Sequence, residues 1–360
     1  VLQNIPNYLM LFVGILFTSI LLLFGLMLPS LMEHQAKTIT GSMIAKYQYM
    51  LSIPAEAMDE DNMTTSMMEL MKYASEVETK TPGVEKFSAY SLKTITEGNV
   101  ISDEVTIYGV KPGSRYIKKN MEENDVYISS LYQDKYGIKP GDEITLKEAY
   151  EDDTYTFKVT GVYDYEGAIC IFMRDSTLNR TFDLPDSFFA GYFSDEEIKD
   201  IDEKYIGTIV DYESLTKVSR QLMISFGGFM KLIDVFSVVL SMILIYLLSK
   251  IIIEKNSQSI SMVKILGYRP GEIGRLYILA TGIMVIISVL ISLYISKVVI
   301  EILWRIFVVA RMSGWISIYF DKIIFVKMTV LILSAFAAVA ALEMRKIRNI
   351  PMSDALKNVE

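Results

Sequence analysis

The chain has 360 residues, 51% of them hydrophobic, and a formal net charge of -8. A single His (His34) and a single Cys (Cys170) argue against most metal sites, against Ser/His/Asp and Cys/His triads, and against any intrachain disulfide. No G-x-x-x-x-G-K-[ST] stretch occurs, which argues against ATP binding by a P-loop in this chain.

The apolar residues cluster instead of spreading. Crossing a hydrocarbon core of about 30 Å takes about 20 helical residues, and four runs are that long. Tyr8 to Met32 and Leu276 to Ile295 carry no charge; Leu232 to Ile253 holds Asp234 and Lys250; Ile323 to Leu342 holds Lys327. The first run exceeds the roughly 7–15 apolar residues of a signal peptide and has no basic flank before it or small-x-small cleavage site after it. It reads as a retained span, in a multi-pass α-helical membrane protein with four transmembrane helices.

The expected organisation is therefore a first span with its flank (1–33), a large α+β domain inserted before the second span (34–228), the second span (229–253), a short linker (254–275), the third span (276–296), a loop (297–322), the fourth span (323–342) and a tail (343–360). Lys255, Lys264, Arg269 and Arg275 in the linker and Arg345, Lys346, Arg348 and Lys357 in the tail place those two segments in the cytoplasm. The inserted domain, rich in Asp and Glu, is then extracytoplasmic, with the chain in a bacterial cell membrane.

Within that domain "SMIAKYQYMLS" continues a helical pattern beyond the first span, and "EDNMTTSMMELMKYASEVE" has helical spacing at Met63, Met67, Leu70, Met71 and Ala74. Alternating runs follow in "EKFSAYSLKTI", "EVTIYGV", "NDVYISSLYQDKYGIKPGDEITL" and "TYTFKVTGVYDYEGAICIFM"; Tyr155, Phe157 and Val159 share one face. "SFFAGYF" and "GTIVD" read as strands around a helical "SDEEIKDIDEKY", and an amphipathic helix from Tyr212 runs into the second span. Between the third and fourth spans, Lys297, Glu301 and Arg305 suit either a short interfacial helix anchored by Trp304 and Trp315 or a simple extension of the third span.

Other motifs carry little. "DEDNMTTSMMEL" lacks the third oxygen ligand and the Gly of a calcium loop, and reads as an acidic helix start. "NMT" and "NRT" match the glycosylation sequon, a pattern frequent by chance. The 21 Met residues are scattered, which favours packing over a soft-metal site. Asp234, Lys250 and Lys327 lie near span ends, where snorkelling relieves the cost of burying charge; with no acid at a midplane, ion-driven secondary transport is disfavoured.

The stretch "IIIEKNSQSISMVKILGYRPGEIGRLYILATG" resembles the conserved segment of the FtsX-like permease family, the membrane component of MacB-type ABC transporters. The matching residues are Glu254-Lys255, then Ile260, Met262, Val263, Ile265 and Leu266, then Gly267-Tyr268, with Glu272-Ile273 opening the next helix. "MRKIRNIPMSDALKN" is similar to the family's basic, Pro-containing ending, and 127–165 looks like the β unit of its external domain. The Val start, with no basic residue before Tyr8, fits the second half of a duplicated permease.

The resemblance implies a permease with no catalytic residues, cofactor or metal of its own. Its coupling segment (Glu254, Lys255, Ile260, Met262, Val263, Lys264, Ile265, Leu266, Gly267, Tyr268, Glu272) would dock on a separate ABC ATPase subunit, and a second permease half or a homodimer partner would complete the complex. The residues themselves agree: Ile260, Val263, Ile265 and Leu266 are able to pack in a groove of a soluble partner, Gly267 permits the turn, and Pro270 starts the next element. ATP-driven motion would be transmitted to the outer domain, to expel a peptide or lipid-like compound. Two other readings stay open: a non-transporting regulator of a cell-wall hydrolase or of a peptide-sensing complex with a sensor kinase, and an ATPase-independent receptor or scaffold. The acidic outer domain weakly favours cationic partners such as antimicrobial peptides; nothing suggests a nucleic-acid partner.

Overall fold

The computed structural model describes residues 5–53, 63–96, 101–149, 152–255 and 257–348. They fall into two compact units. One holds the described residues of Val1–Met32, Leu222–Arg305 and Ile318–Glu360; the other holds those of Glu33–Gln221 and Ile306–Ser317. The "NMT" Asn62, the start of the calcium-like run, and the tail beyond Arg348 lie outside the described residues.

The first unit is helical. Its helices α1 (Ile5–Gly41), α5 (Tyr212–Lys255), α7 (Pro270–Arg311) and α8 (Lys322–Arg348) each contain a segment long and apolar enough to cross a bilayer. In lipid, apolar contact alone does not hold such helices together; close backbone approach and interhelical hydrogen bonds do. Accordingly Gly14 of α1 meets Leu244 of α5, Gly282 of α7 lies under the Phe336 ring of α8, and Ser19 of α1 bonds Ser292 of α7 at 3.0 Å. The expected snorkelling does not describe Asp234. Its carboxyl is packed over Gly25 of α1, where any Cβ would collide with it, and Oδ1 is buried without a hydrogen-bond partner.

The second unit, here called the head, is built on a mixed ten-stranded sheet among the described residues, ordered β10-β1-β9-β2-β3-β8-β4-β7 with β5 and β6 branching from β2. The strands are β1 (Tyr47–Leu51), β2 (Glu85–Thr94), β3 (Glu104–Val110), β4 (Val126–Ser129), β5 (Glu143–Lys147), β6 (Thr154–Lys158), β7 (Gly161–Tyr163), β8 (Cys170–Arg174), β9 (Gly191–Ser194) and β10 (Ile206–Asp211). Helices α2 (Met63–Glu76), α3 (Ser130–Tyr136) and α4 (Asp175–Thr181) lie between them in sequence. Strand β2 changes partners midway: Glu85–Phe87 pair with β9, and Ser88–Lys93 pair with β3. The head thus has a joint in one strand. On one side lie β9, β1 and β10, the strands that follow α1 and precede α5; on the other lie β3, β8, β4 and β7.

Two expectations are corrected. "SMIAKYQYMLS" does not continue the first helix: its second half is β1, flanked by β9 and β10, where alternation buries the Tyr49 ring at 1% exposure. Sheet pairing on both edges overrides a helical pattern that is only local. "SDEEIKDIDEKY" forms no α-helix. Its acidic side chains cap backbone groups elsewhere, Asp200 taking Lys80 N at 2.7 Å and Thr79 Oγ1 at 2.6 Å, while Ile198, Ile201 and Tyr205 are buried with Tyr49 and Tyr192. Of the two alternatives for the stretch after the third span, the simple extension is the one found: 297–311 is the unbroken end of α7. The "NRT" acceptor Asn179 is buried in α4, so its amide nitrogen is not presented to a glycosylating enzyme.

The larger head core gathers Phe87, Tyr108, Phe172 and Phe193 across the joint. Phe87 stacks on Phe193 at 4.2 Å between centroids, and Tyr108 accepts a 2.8 Å bond from Gln48. Gly191 is what allows β1 and β9 to meet beside that ring, because a Cβ there would overlap the Tyr49 carbonyl oxygen and the edge of Phe87.

Gly191→Ala should therefore destabilise the full-length protein by more than about 3 kcal/mol, as overpacking against backbone does in severe cases; a thermal melt in detergent matching that of the native chain would contradict this reading. Asp200 gives a pH dependence. The Lys80 N–H and Thr79 hydroxyl bonds hold its carboxyl below the ordinary 3.8, so its contribution is present above that value and disappears as pH falls through the lower folded value. Asp200→Asn should lower the melting temperature at pH 7, with the difference from native shrinking as pH falls through the lowered folded value.

Candidate functional site

The polar break between the second and third apolar helices is built by local rules. α6 (Ser257–Ile265) is one short helix. It ends at Gly267, whose φ of 93° is left-handed, and Tyr268 N donates back to Val263 O at 3.3 Å, the six-to-one bond of a Schellman ending. Arg269 then caps α7: its N–H donates to Glu272 Oε2 at 3.0 Å, half of a capping box, and Pro270 occupies the first helical position. Leu-Gly-Tyr-Arg-Pro-Gly-Glu is thus a complete stop and restart signal.

Tertiary packing then divides the apolar residues of this segment into two sets. Ile260 is fully buried with Ile253 at the end of α5 and Ile273 at the start of α7, and Val263 packs on them. Met262, Ile265, Leu266 and Tyr268 are 54–71% exposed. Ile260 and Val263, expected to dock together with Ile265 and Leu266, are turned inward in this fold. They hold α6 in place, and the free face is Met262, Ile265, Leu266 and Tyr268. Of the remaining segment residues, Glu254 is exposed and 3.8 Å from Lys250, Glu272 is spent on the cap, and the side chains of Lys255 and Lys264 lie outside the described residues.

A cavity of about 600 Å³ in the head is lined by Thr40, Met43, Tyr47, Asp195, Asp211 and Tyr212, among others. Two of its carboxylates have structural duties: Asp211 accepts from Ser214 N at 2.7 Å to start α5, and Asp195 pairs with Arg115 at 3.1 Å. Among the described residues no group of His, Cys, Asp and Glu is placed to hold a metal ion.

One polar cluster escaped the reading of the sequence altogether. Lys135 of α3 and Asp103, just before β3, form an ion pair at 2.5 Å with both side chains wholly buried. Lys135 Nζ also donates to Met312 O at 3.2 Å and Gly314 O at 2.9 Å. Asp103 accepts from Gly314 N at 2.7 Å and from the Tyr136 hydroxyl. Next to them Asp134 accepts from Trp315 Nε1 at 2.5 Å and Ser317 Oγ at 2.8 Å. Burial, and then its bond to Asp103, pushes the Tyr136 phenol well above its usual range, so it stays a donor. No motif announces the cluster, because its members are 32 and 177 or more positions apart.

Residues 232–350 match the family model described as FtsX-like permease C-terminal. Comparison with curated proteins gives no match. The matched segment runs from within α5 to the end of the described α8, and so includes α6, its exposed face and the 312–317 loop.

Two substitutions separate the halves of α6. Ile260→Ala should cost about 2–5 kcal/mol, the range for large-to-small changes at buried sites, and open the 257–268 backbone to protease. Leu266→Ala should leave stability within about 0.5 kcal/mol. Equal sensitivity of the two variants in a melting and limited-proteolysis assay would refute the division.

Proposed function

We propose that this chain, whose residues 232–350 carry an FtsX-like permease C-terminal domain, is the membrane component of a MacB-type ABC transporter. In this reading it works as a mechanical transmitter and not as a catalyst. ATP binding and hydrolysis belong to a separate ATPase subunit docked at α6, and the chain supplies no catalytic residue, cofactor or metal. The Lys and Arg of 254–275 and of the tail support a cytoplasmic position for both segments, and in this reading the head lies outside. A second permease, as a homodimer partner or as the other half of a duplicated chain, completes the assembly.

The observation that carries this reading is the exposed Met262, Ile265, Leu266 and Tyr268 face on a helix whose Ile260 and Val263 pack on Ile253 of α5 and Ile273 of α7. A mere solvated linker has no use for four large apolar side chains on a rigid element; a short amphipathic helix in a partner's groove does. Motion delivered there passes into α5 and α7, each a single helix of 44 and 42 residues. α5 reaches the head strand β10 without interruption. The load moved outside would be a peptide or lipid-like compound.

A pull-down from membranes tests this. The native permease should bring down an ABC ATPase, measurable as ATP hydrolysis in the eluate. Leu266→Asp with Tyr268→Asp, both exposed, should lose at least about tenfold of it, the equivalent of 1.4 kcal/mol, while melting like the native protein. Retention of the ATPase by the variant, or its absence from the native eluate, would sink the docking assignment.

A further inference from the structure

We propose that the Lys135–Asp103 pair is a pin that makes the loop joining α7 to α8 a second load path into the head, entering on the other side of the β2 joint from α1 and α5. The proposal rests on the ATP-driven reading above for the origin of the load, and on the head's own geometry for its path.

The first path is covalent: α1 leads into β1, and β10 leads into α5. Both strands lie on the β9 side of β2. The second path is the 312–317 loop, which follows α7 directly and is held by Asp103, Asp134 and Lys135 on the β3 side. The grip falls mainly on backbone. Both Gly314 groups and the Met312 carbonyl are bonded, and the left-handed φ of 81° at Gly314 turns its N–H and C=O toward the two charges. Lys135 has three ammonium protons and three acceptors, so its bonding is complete.

Stability alone is a poor reason for such an arrangement, since a buried ion pair is often no better than a well-packed apolar set of the same size. What it supplies is a fixed position. An apolar contact lets the loop slide; two buried charges that are satisfied only with Met312 and Gly314 in place do not. If the α7–α8 pair moves relative to α1 and α5, the pin carries that displacement to the β3 side, and the β2 joint at Phe87–Ser88 has to absorb it.

The experiment uses full-length permease in lipid nanodiscs with its co-purified ATPase. The variant carries Lys135→Met, Asp103→Leu, Asp134→Cys and Ser317→Cys, so that a short bismaleimide restores a tether; the native Cys170 is wholly buried and out of its reach. Hydrogen exchange is followed in the loop and across the β2–β9 joint. Without nucleotide, the unlinked variant should exchange faster at 312–317 and return to native protection on linking; unchanged loop protection overturns the pin. With ATP and vanadate, the native joint should change its exchange, the unlinked variant should lose that change and the linked one regain it. Equal changes in native and unlinked protein overturn the load path. No change in the native protein, with the pin intact by the first comparison, sinks the ATP-driven reading instead. Should the variant lose protection throughout the head, Trp315→Ala with Asp134→Ala loosens the loop while leaving the buried charges paired, and the same comparisons decide.

Discussion

Two opposite charges with no exposed surface, Lys135 and Asp103, set the most stringent condition in this molecule. Removing one would leave the other buried and uncompensated, at a cost of about 3–5 kcal/mol. The condition reaches well beyond the pair. Tyr136 must remain a phenol, Gly314 must adopt a left-handed turn, and Thr94 must accept from Asp103 N at 2.8 Å to hold the carboxylate at the end of β2. A segment that follows the third apolar helix in sequence is thereby made part of the head.

The head is organised so that its two sides are separable yet share a core. Strand β2 carries the backbone ladder from one side to the other, and the aromatic stack of Phe87, Phe193, Tyr108 and Phe172 fills the space across the change of partners. Close packing of these rings transmits displacement from one side to the other.

At the other end of the chain the logic is local. The α6 segment is defined by one glycine, one proline and one capping glutamate, all within seven residues, and needs little help from the rest of the fold to start and stop where it does. Tertiary structure adds the clamp of Ile253, Ile260 and Ile273 and so decides which apolar face stays free. Residues 232–350, which include this segment, match the family model described as FtsX-like permease C-terminal.

Sequence by itself determined the four long apolar helices, the inserted α+β domain and the α6 stop signal, because hydropathy runs, alternation and capping are properties of neighbouring residues. It failed at "SMIAKYQYMLS" and "SDEEIKDIDEKY", where the partners that decide the outcome are strands β9 and β10 and the Lys80 turn, far away in the chain. It assigned the α6 face only in part, since periodicity marks Ile260 and Leu266 alike as apolar and cannot say which one meets Ile273. The pin was invisible, because Lys135 and Asp103 in sequence are two ordinary surface charges; only the folded head, by removing water from both and bringing Gly314 between them, turns them into a fixed point.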